Sequence, residues 1–168
     1  NGSQFCTGSL IASRLVLTAA HCLRGYPANS MYVAFGTSAL PGELQSQNIR
    51  KAKSWQFHSG FNEDAMIAKV PTSPPNDIAL IKLYSDAPRG YAPVSLMYSG
   101  SRANLGERLI LAGFGLTDHL SDESGLLYKV DTQLSAQFVT AKEIQFGPSA
   151  GRSACMGDSG GPAFVLRN

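Results

Sequence analysis

Apolar residues in this sequence come in short runs, and glycine, proline, asparagine or serine closes most of them within a few positions. No sustained 3.6-residue period links one run to the next. That spacing suits strands and turns rather than helices. Strands are expected at 7–11, 15–17, 31–35, 49–55, 78–83, 109–113, 127–133 and 163–166. The fold class is therefore all-β, a barrel or sandwich rather than an alternation of strands and helices. Short helical turns are expected only at 19–23, after Thr18, and at 140–143, where Thr140 is a candidate cap. Neither could form the helical layer of a doubly wound sheet. The run Pro71, Thr72, Ser73, Pro74, Pro75 reads as a stiff loop entering the strand at 78.

A chain of 168 residues suits one domain or two small packed halves. Its 14 basic and 12 acidic residues leave a formal charge of +2. The densest basic group, Arg50, Lys51 and Lys53, reads as a solvated strand face, so no nucleic-acid partner is expected. No apolar run is long enough to cross a bilayer, so no membrane insertion is expected either. The start at Asn1, with neither an initiator Met nor a signal-like segment, reads as processed, trimmed or incompletely represented. Three cysteines, Cys6, Cys22 and Cys155, imply a missing partner, an intermolecular bridge or a free thiol.

Near the end lies A-C-M-G-D-S-G-G-P-A-F, in which Gly157 to Gly161 satisfies G-x-S-x-G. Such a pattern can be the nucleophile elbow of an α/β-hydrolase. An elbow needs a helix after it and enough chain to supply two further partners. Pro162 stands where that helix would begin, and the sequence ends at Asn168. Partners for Ser159 must therefore be sought upstream. A hydroxyl nucleophile needs a base, an acid to orient the base, and donors for the developing oxyanion. His21 in L-T-A-A-H-C and Asp77 in N-D-I-A-L-I-K-L are the candidates. Taken singly, His21 could be a packed or solvated histidine, Asp77 an Asx-turn residue, and Ser159 a turn serine.

Together, in the order His, Asp, Ser, these motifs resemble the trypsin/chymotrypsin family of serine endopeptidases. The similarity runs from F-C-T-G-S-L-I, beginning at Phe5, through Pro162. It implies two antiparallel six-stranded-type β-barrels, with residues 1–95 carrying His21 and Asp77 and residues 96–168 carrying Ser159. It further implies that the chain given is truncated at both ends.

By that resemblance Ser159 is the nucleophile, His21 the general base and then acid, and Asp77 the residue that orients the imidazole. The backbone amides of Gly157 and Ser159 form the oxyanion hole. Asp158 pairs with a newly cleaved N-terminal ammonium rather than serving as the triad acid, although the sequence lacks an I-V-G-G start. Cys6 bridges Cys22, a closure worth about 3 kcal/mol in the chain-entropy picture. The partner of Cys155 lies downstream of the nucleophile. Ser153 falls at the floor of the specificity pocket, where serine favours an apolar or aromatic substrate residue. The stretch 135–153 is short and lacks the helix and disulfide of the animal enzymes.

The implied protein is a secreted or extracytoplasmic zymogen-derived protease with no cofactor and no metal. Its partners are a protein or peptide substrate, a protein inhibitor and an activating protease. The alternative is a noncatalytic homologue that binds a protein partner through the same scaffold. Outside the motifs, His58 and His119 read as surface or loop residues, and no H-x-x-H or C-x-x-C spacing suggests a metal site. Trp55, Phe57 and Phe61 read as barrel packing, and Asp118, Asp122 and Glu123 as a solvated acidic loop.

Overall fold

Alternation of buried and exposed positions is clear where strands form. In Ala79–Leu83, Ala79, Ile81 and Leu83 are buried and Lys82 is exposed; in Arg108–Gly113, Leu109 and Leu111 are buried and Arg108 is exposed. One face of each strand thus enters a core, as a period of two requires. A computed structural model describes residues 6–62, 76–97, 103–117, 124–134, 136–140, 143–145 and 151–165. The expected stiff loop at Pro71 to Pro75, and His119, Asp118, Asp122 and Glu123, lie outside these residues.

The described strands are β1 (Ser9–Ala12), β2 (Leu15–Thr18), β3 (Tyr32–Ala34), β4 (Ile49–Phe57), β5 (Ala79–Leu83), β6 (Arg108–Gly113), β7 (Tyr128–Gln133), β8 (Ala136–Thr140), β9 (Glu143–Gln145) and β10 (Ala163–Val165). The first sheet has the order β1-β2-β5-β4-β3, a second the order β10-β6-β7, and β8 pairs with β9; all pairings are antiparallel. The all-β, two-sheet architecture is the fold class expected from the sequence.

Each strand expected from the sequence is present within a few residues of its anticipated ends, and the helical turn at 19–23 is a 3₁₀ turn at Ala20–Leu23. Of the turn expected at 140–143, the two described residues, Thr140 and Glu143, are strand residues, and 141–142 lie outside the described residues. Thr140 ends β8, Glu143 begins β9, and the two residues pair across the hairpin. The run A-Q-F-V-T, with its aromatic and β-branched residues, favours extended backbone over the weak helical signal of a threonine cap.

Val16, Leu23, Phe35, Ala52, Ile81 and Leu83 form the first core, against which Trp55, Phe57 and Phe61 pack. Trp55 stacks on Phe57 with ring centroids 4.4 Å apart, consistent with the packing role assigned to these aromatics. Ala103, Leu109 and Leu134 form a smaller second core. Arg50 departs from the expected solvated face, since its guanidinium donates to the carbonyls of Gln47, Ile49 and Asp86.

Backbone contacts join the sheets. Ser38 bridges Leu126, the Ala39 amide donates to Gly125 O at 2.6 Å, and the Leu127 amide donates to Thr37 O at 2.9 Å. Among the described residues, no helix is long and apolar enough to cross a membrane.

Candidate active site

Antiparallel pairing explains why His21 and Asp77 meet. Thr18, the last residue of β2, is in register with Ala79, the first of β5. The exit from one strand and the entry to the other therefore lie at the same sheet end. The 3₁₀ turn Ala20–Leu23 then places His21 beside Asp77. The carboxylate receives two hydrogen bonds from one residue: His21 Nδ1–H donates to Oδ2 at 2.6 Å, and the His21 backbone amide donates to Oδ1 at 2.9 Å.

The approach to Asp77 is also fixed. Asn76 has φ of 66°, the left-handed region in which asparagine is enriched among residues with a Cβ. Its side-chain amide donates to Gly60 O at 2.9 Å, and the Gly60 amide donates to His58 Nδ1 at 3.0 Å. His58 is exposed and lies just past the end of a strand, as expected of a surface or loop residue, and its ring nitrogen accepts a bond within this turn.

The His21 and Asp77 side chains are 28% and 16% exposed, so each hydrogen bond acts in a partly desolvated setting. The bond to Asp77 raises the His21 pKa above its ordinary 6.5, against an opposing effect of burial, with charge attraction adding to the rise. Burial acts to raise the Asp77 pKa. The His21 side-chain and backbone bonds, the charge of His21 and the Ala20 amide together outweigh it, and the pKa falls below the ordinary 3.8. The pair thus favours a charged carboxylate. With Nδ1–H committed to Asp77, Nε2 is the ring nitrogen left to exchange a proton elsewhere.

Ser159 reaches this region through a loop whose carbonyls are fixed in succession. Met156 O accepts from the Leu116 amide at 2.9 Å, Gly157 O from the Thr7 hydroxyl at 2.9 Å, Asp158 O from the Gly161 amide at 2.8 Å, and Ser159 O from the Thr7 amide at 2.9 Å. In a trans peptide the N–H points opposite the preceding carbonyl. Anchoring Met156 O and Asp158 O therefore sets the directions of the Gly157 and Ser159 amides. Gly157 has φ of 96°, a conformation that glycine adopts without steric cost.

Cys6 and Cys22 form a disulfide with a Cα separation of 6.1 Å. Cys22 Sγ lies 3.7 Å from His21 Nε2 and 3.7 Å from Ser159 O. The imidazole and the Ser159 backbone thus flank the same sulfur. Although ligand atoms of Cys6, His21 and Cys22 lie within 4.8 Å of one another, both sulfurs are bonded together and Nδ1 is bonded to Asp77. This donor set is a poor fit to a metal ion.

Asp158 bonds to backbone of its own half of the chain. Its Oδ1 accepts from the Gly115 amide and its Oδ2 from the Cys155 amide, each at 2.9 Å. Ser153 is exposed and lines a cleft of about 870 Å³ shared with Gly113, Gly115, Cys155 and Asp158.

The motif reading left out several residues that shape this region. Thr7 is buried and hydrogen-bonded to both sides of the Asp158 position. Gly113 and Gly115 make room for the Asp158 carboxylate, since a Cβ on either would lie within 2.9 Å of Asp158 Cγ. The G-F-G sequence is a visible mark of close backbone approach, but it does not name Asp158 as the group approaching. For Thr7 there was no local signal, because its partners lie in the distant half of the chain.

The trypsin family model matches residues 1–168. The chain is similar to trypsin of Sarcophaga bullata, at 30% identity over 95% of this chain and 64% of that protein. It is also 30% identical to glucanase inhibitor protein 4 of Phytophthora infestans, over 99% of this chain and 64% of that protein. Among solved structures, neuropsin, a serine protease of mouse brain, matches with a TM-score of 0.74 and 27% identity, over 96% of this chain and 72% of that one. The chain spans 51 to 64% of the lengths of the first curated relatives it matches. From the family match and the antiparallel two-sheet fold together, the chain belongs to the trypsin family.

Proposed function

We propose that the protein containing this chain is a secreted serine endopeptidase acting through Ser159, His21 and Asp77. The observation that carries this reading is the paired bond from His21 to Asp77 beside the Ser159 loop. Ser159 Oγ attacks the substrate carbonyl while His21 Nε2 takes its proton. The resulting imidazolium is stabilised by Asp77, which also holds the tautomer in which Nε2 can act as base.

The amides of Gly157 and Ser159 donate to the tetrahedral oxyanion. Collapse forms an acyl-enzyme, with the proton on Nε2 passing to the leaving amine. Water then attacks the acyl carbon, giving its proton to His21, and Ser159 recovers a proton as the acid product leaves. No metal or organic cofactor takes part in this scheme.

Asp158, by this reading, receives an N-terminal ammonium after precursor cleavage by an activating protease. Its two described amide bonds leave further acceptor positions on the carboxylate. Ser153, uncharged at the pocket floor, favours Phe, Tyr or Leu over Arg or Lys before the cleaved bond. A peptide-library digest dominated by cleavage after basic residues would overturn that preference. Protein substrates and a protein inhibitor are the partners this chemistry requires or attracts.

Fluorophosphonate labelling tests the enzyme reading. Correctly processed full-length protein should be labelled covalently and Ser159→Ala should not. Absence of labelling in the processed wild type would leave the second reading, a noncatalytic homologue that binds a protein partner. That alternative draws support from the similarity to a protein named as a glucanase inhibitor.

A further inference from the structure

Thr7 stands two residues before β1, far from Ser159 in sequence, yet each of its polar groups is engaged at the boundary between the two sheets. Its amide donates to Ser159 O at 2.9 Å, and its carbonyl accepts from the Thr18 hydroxyl at 2.8 Å. Its hydroxyl donates to Gly157 O at 2.9 Å while accepting from the Phe114 amide at 3.1 Å. Thr7 is 6% exposed and Thr18 is 5% exposed, so water has little access to replace these bonds.

The hydroxyl bond acts on a particular peptide unit. Gly157 C=O and Asp158 N–H belong to one plane; Thr7 holds the oxygen, and Cys155 O accepts from the N–H at 3.1 Å. With the preceding plane set by the Leu116 bond to Met156 O, both torsions of Gly157 are determined by groups outside it. A glycine needs such external restraint, because its own backbone allows left- and right-handed conformations alike. A residue without a hydroxyl at position 7 would keep the amide bond to Ser159 O and lose the restraint on Gly157.

We propose that the Thr7 hydroxyl is a positioning residue for the oxyanion loop, holding the Gly157–Asp158 peptide so that the Gly157 amide is set before substrate arrives. This rests on the oxyanion role given to Gly157 above. Thr7 itself touches no reacting atom. Its effect on the reaction passes through the direction of the Gly157 amide, and so falls on the transition state more than on substrate binding.

Thr7→Val and Thr7→Ser in the processed full-length protein provide the test. Valine keeps the shape and the backbone amide but removes the hydroxyl; serine restores it. For the hydrolysis of a peptide substrate, kcat of Thr7→Val should fall about 10-fold or more with KM within about twofold, and Thr7→Ser should recover most of the loss. Hydrogen exchange at the Phe114 and Asp158 amides should quicken about 10-fold in Thr7→Val and remain near wild type in Thr7→Ser.

A Thr7→Val enzyme with kcat within twofold of wild type would overturn the proposal. So would an equal loss in Thr7→Ser. Should the wild type itself prove inactive, the protease reading fails, and exchange alone decides whether Thr7 orders this loop: faster exchange only in the valine variant supports the anchor, and unchanged exchange removes it.

Discussion

Asp77 grips His21 at two points, accepting from the ring Nδ1–H at 2.6 Å and from the backbone amide at 2.9 Å. One bond selects the tautomer and the other fixes the residue that carries the ring. Asp77→Asn removes the negative charge and, in either orientation, places its NH₂ group against one of the two donors. Turnover should fall about 10,000-fold with a smaller change in KM, checked by steady-state hydrolysis of a peptide substrate.

The pH dependence follows from the same pair. His21 must be neutral to accept a proton, and its pKa is raised, so the acid limb of kcat/KM should lie above pH 6.5. In Asp77→Asn the hydrogen bond that dominates the shift is altered, and the limb should move to lower pH. A pH–rate profile with the limb unchanged in the variant would contradict this assignment.

Stability should carry the matching signature. The raised His21 pKa contributes stabilisation that is complete below pH 6.5 and is lost as pH rises through the folded value. The lowered Asp77 pKa contributes stabilisation present above pH 3.8 and lost as pH falls through the folded value. The pair therefore stabilises the fold most between pH 3.8 and 6.5. Urea midpoints measured across pH should show a bulge in that window, and His21→Ala should flatten it.

Gly160 lies at φ of 80°, and a Cβ there would sit 2.6 Å from Thr7 O and 2.7 Å from the Ala19 amide nitrogen. Those neighbours are backbone and cannot rotate away. Gly160→Ala should destabilise the protein by at least about 2 kcal/mol, measured by urea unfolding. By contrast, Gly25→Ala meets no atom within 4 Å and should cost only the strain of its positive φ, about 1 kcal/mol.

Asn76 separates backbone conformation from side-chain bonding. Asn76→Gly accepts the left-handed backbone but loses the bond to Gly60 O, whereas Asn76→Val also forces a β-branched residue to φ of 66°. The valine variant should unfold at lower urea, by about 2 kcal/mol, and should lose more activity than the glycine variant. Equal stability in the two would show that the left-handed conformation is not preserved in the valine variant.

Sequence pattern located the strands well because burial on one face leaves a period of two, as in Ala79, Ile81 and Leu83. The motifs also singled out His21 and Asp77 as candidates, and the register of β2 against β5 brings these two residues together. The second half was less legible. The β8–β9 hairpin has too few residues to establish a period, and the threonine at 140 looked like a helix cap. Thr7 was missed for a different reason: a buried hydroxyl is recognised by its partners, and no spacing rule connects a residue to carbonyls contributed from the other sheet.

The bond from Thr7 to Gly157 joins residues separated by 150 positions, and that from His21 to Asp77 spans 56. Contacts of such high sequence separation incur their loop-closure cost late in folding. A chain emerging during synthesis can form the β1–β2 hairpin early, but it cannot set the Ser159 loop until nearly all of this sequence has been made. The contact order of the scaffold therefore acts as a timer: the arrangement of the Ser159 loop against His21 and Asp77 arises only after the surrounding sheets exist.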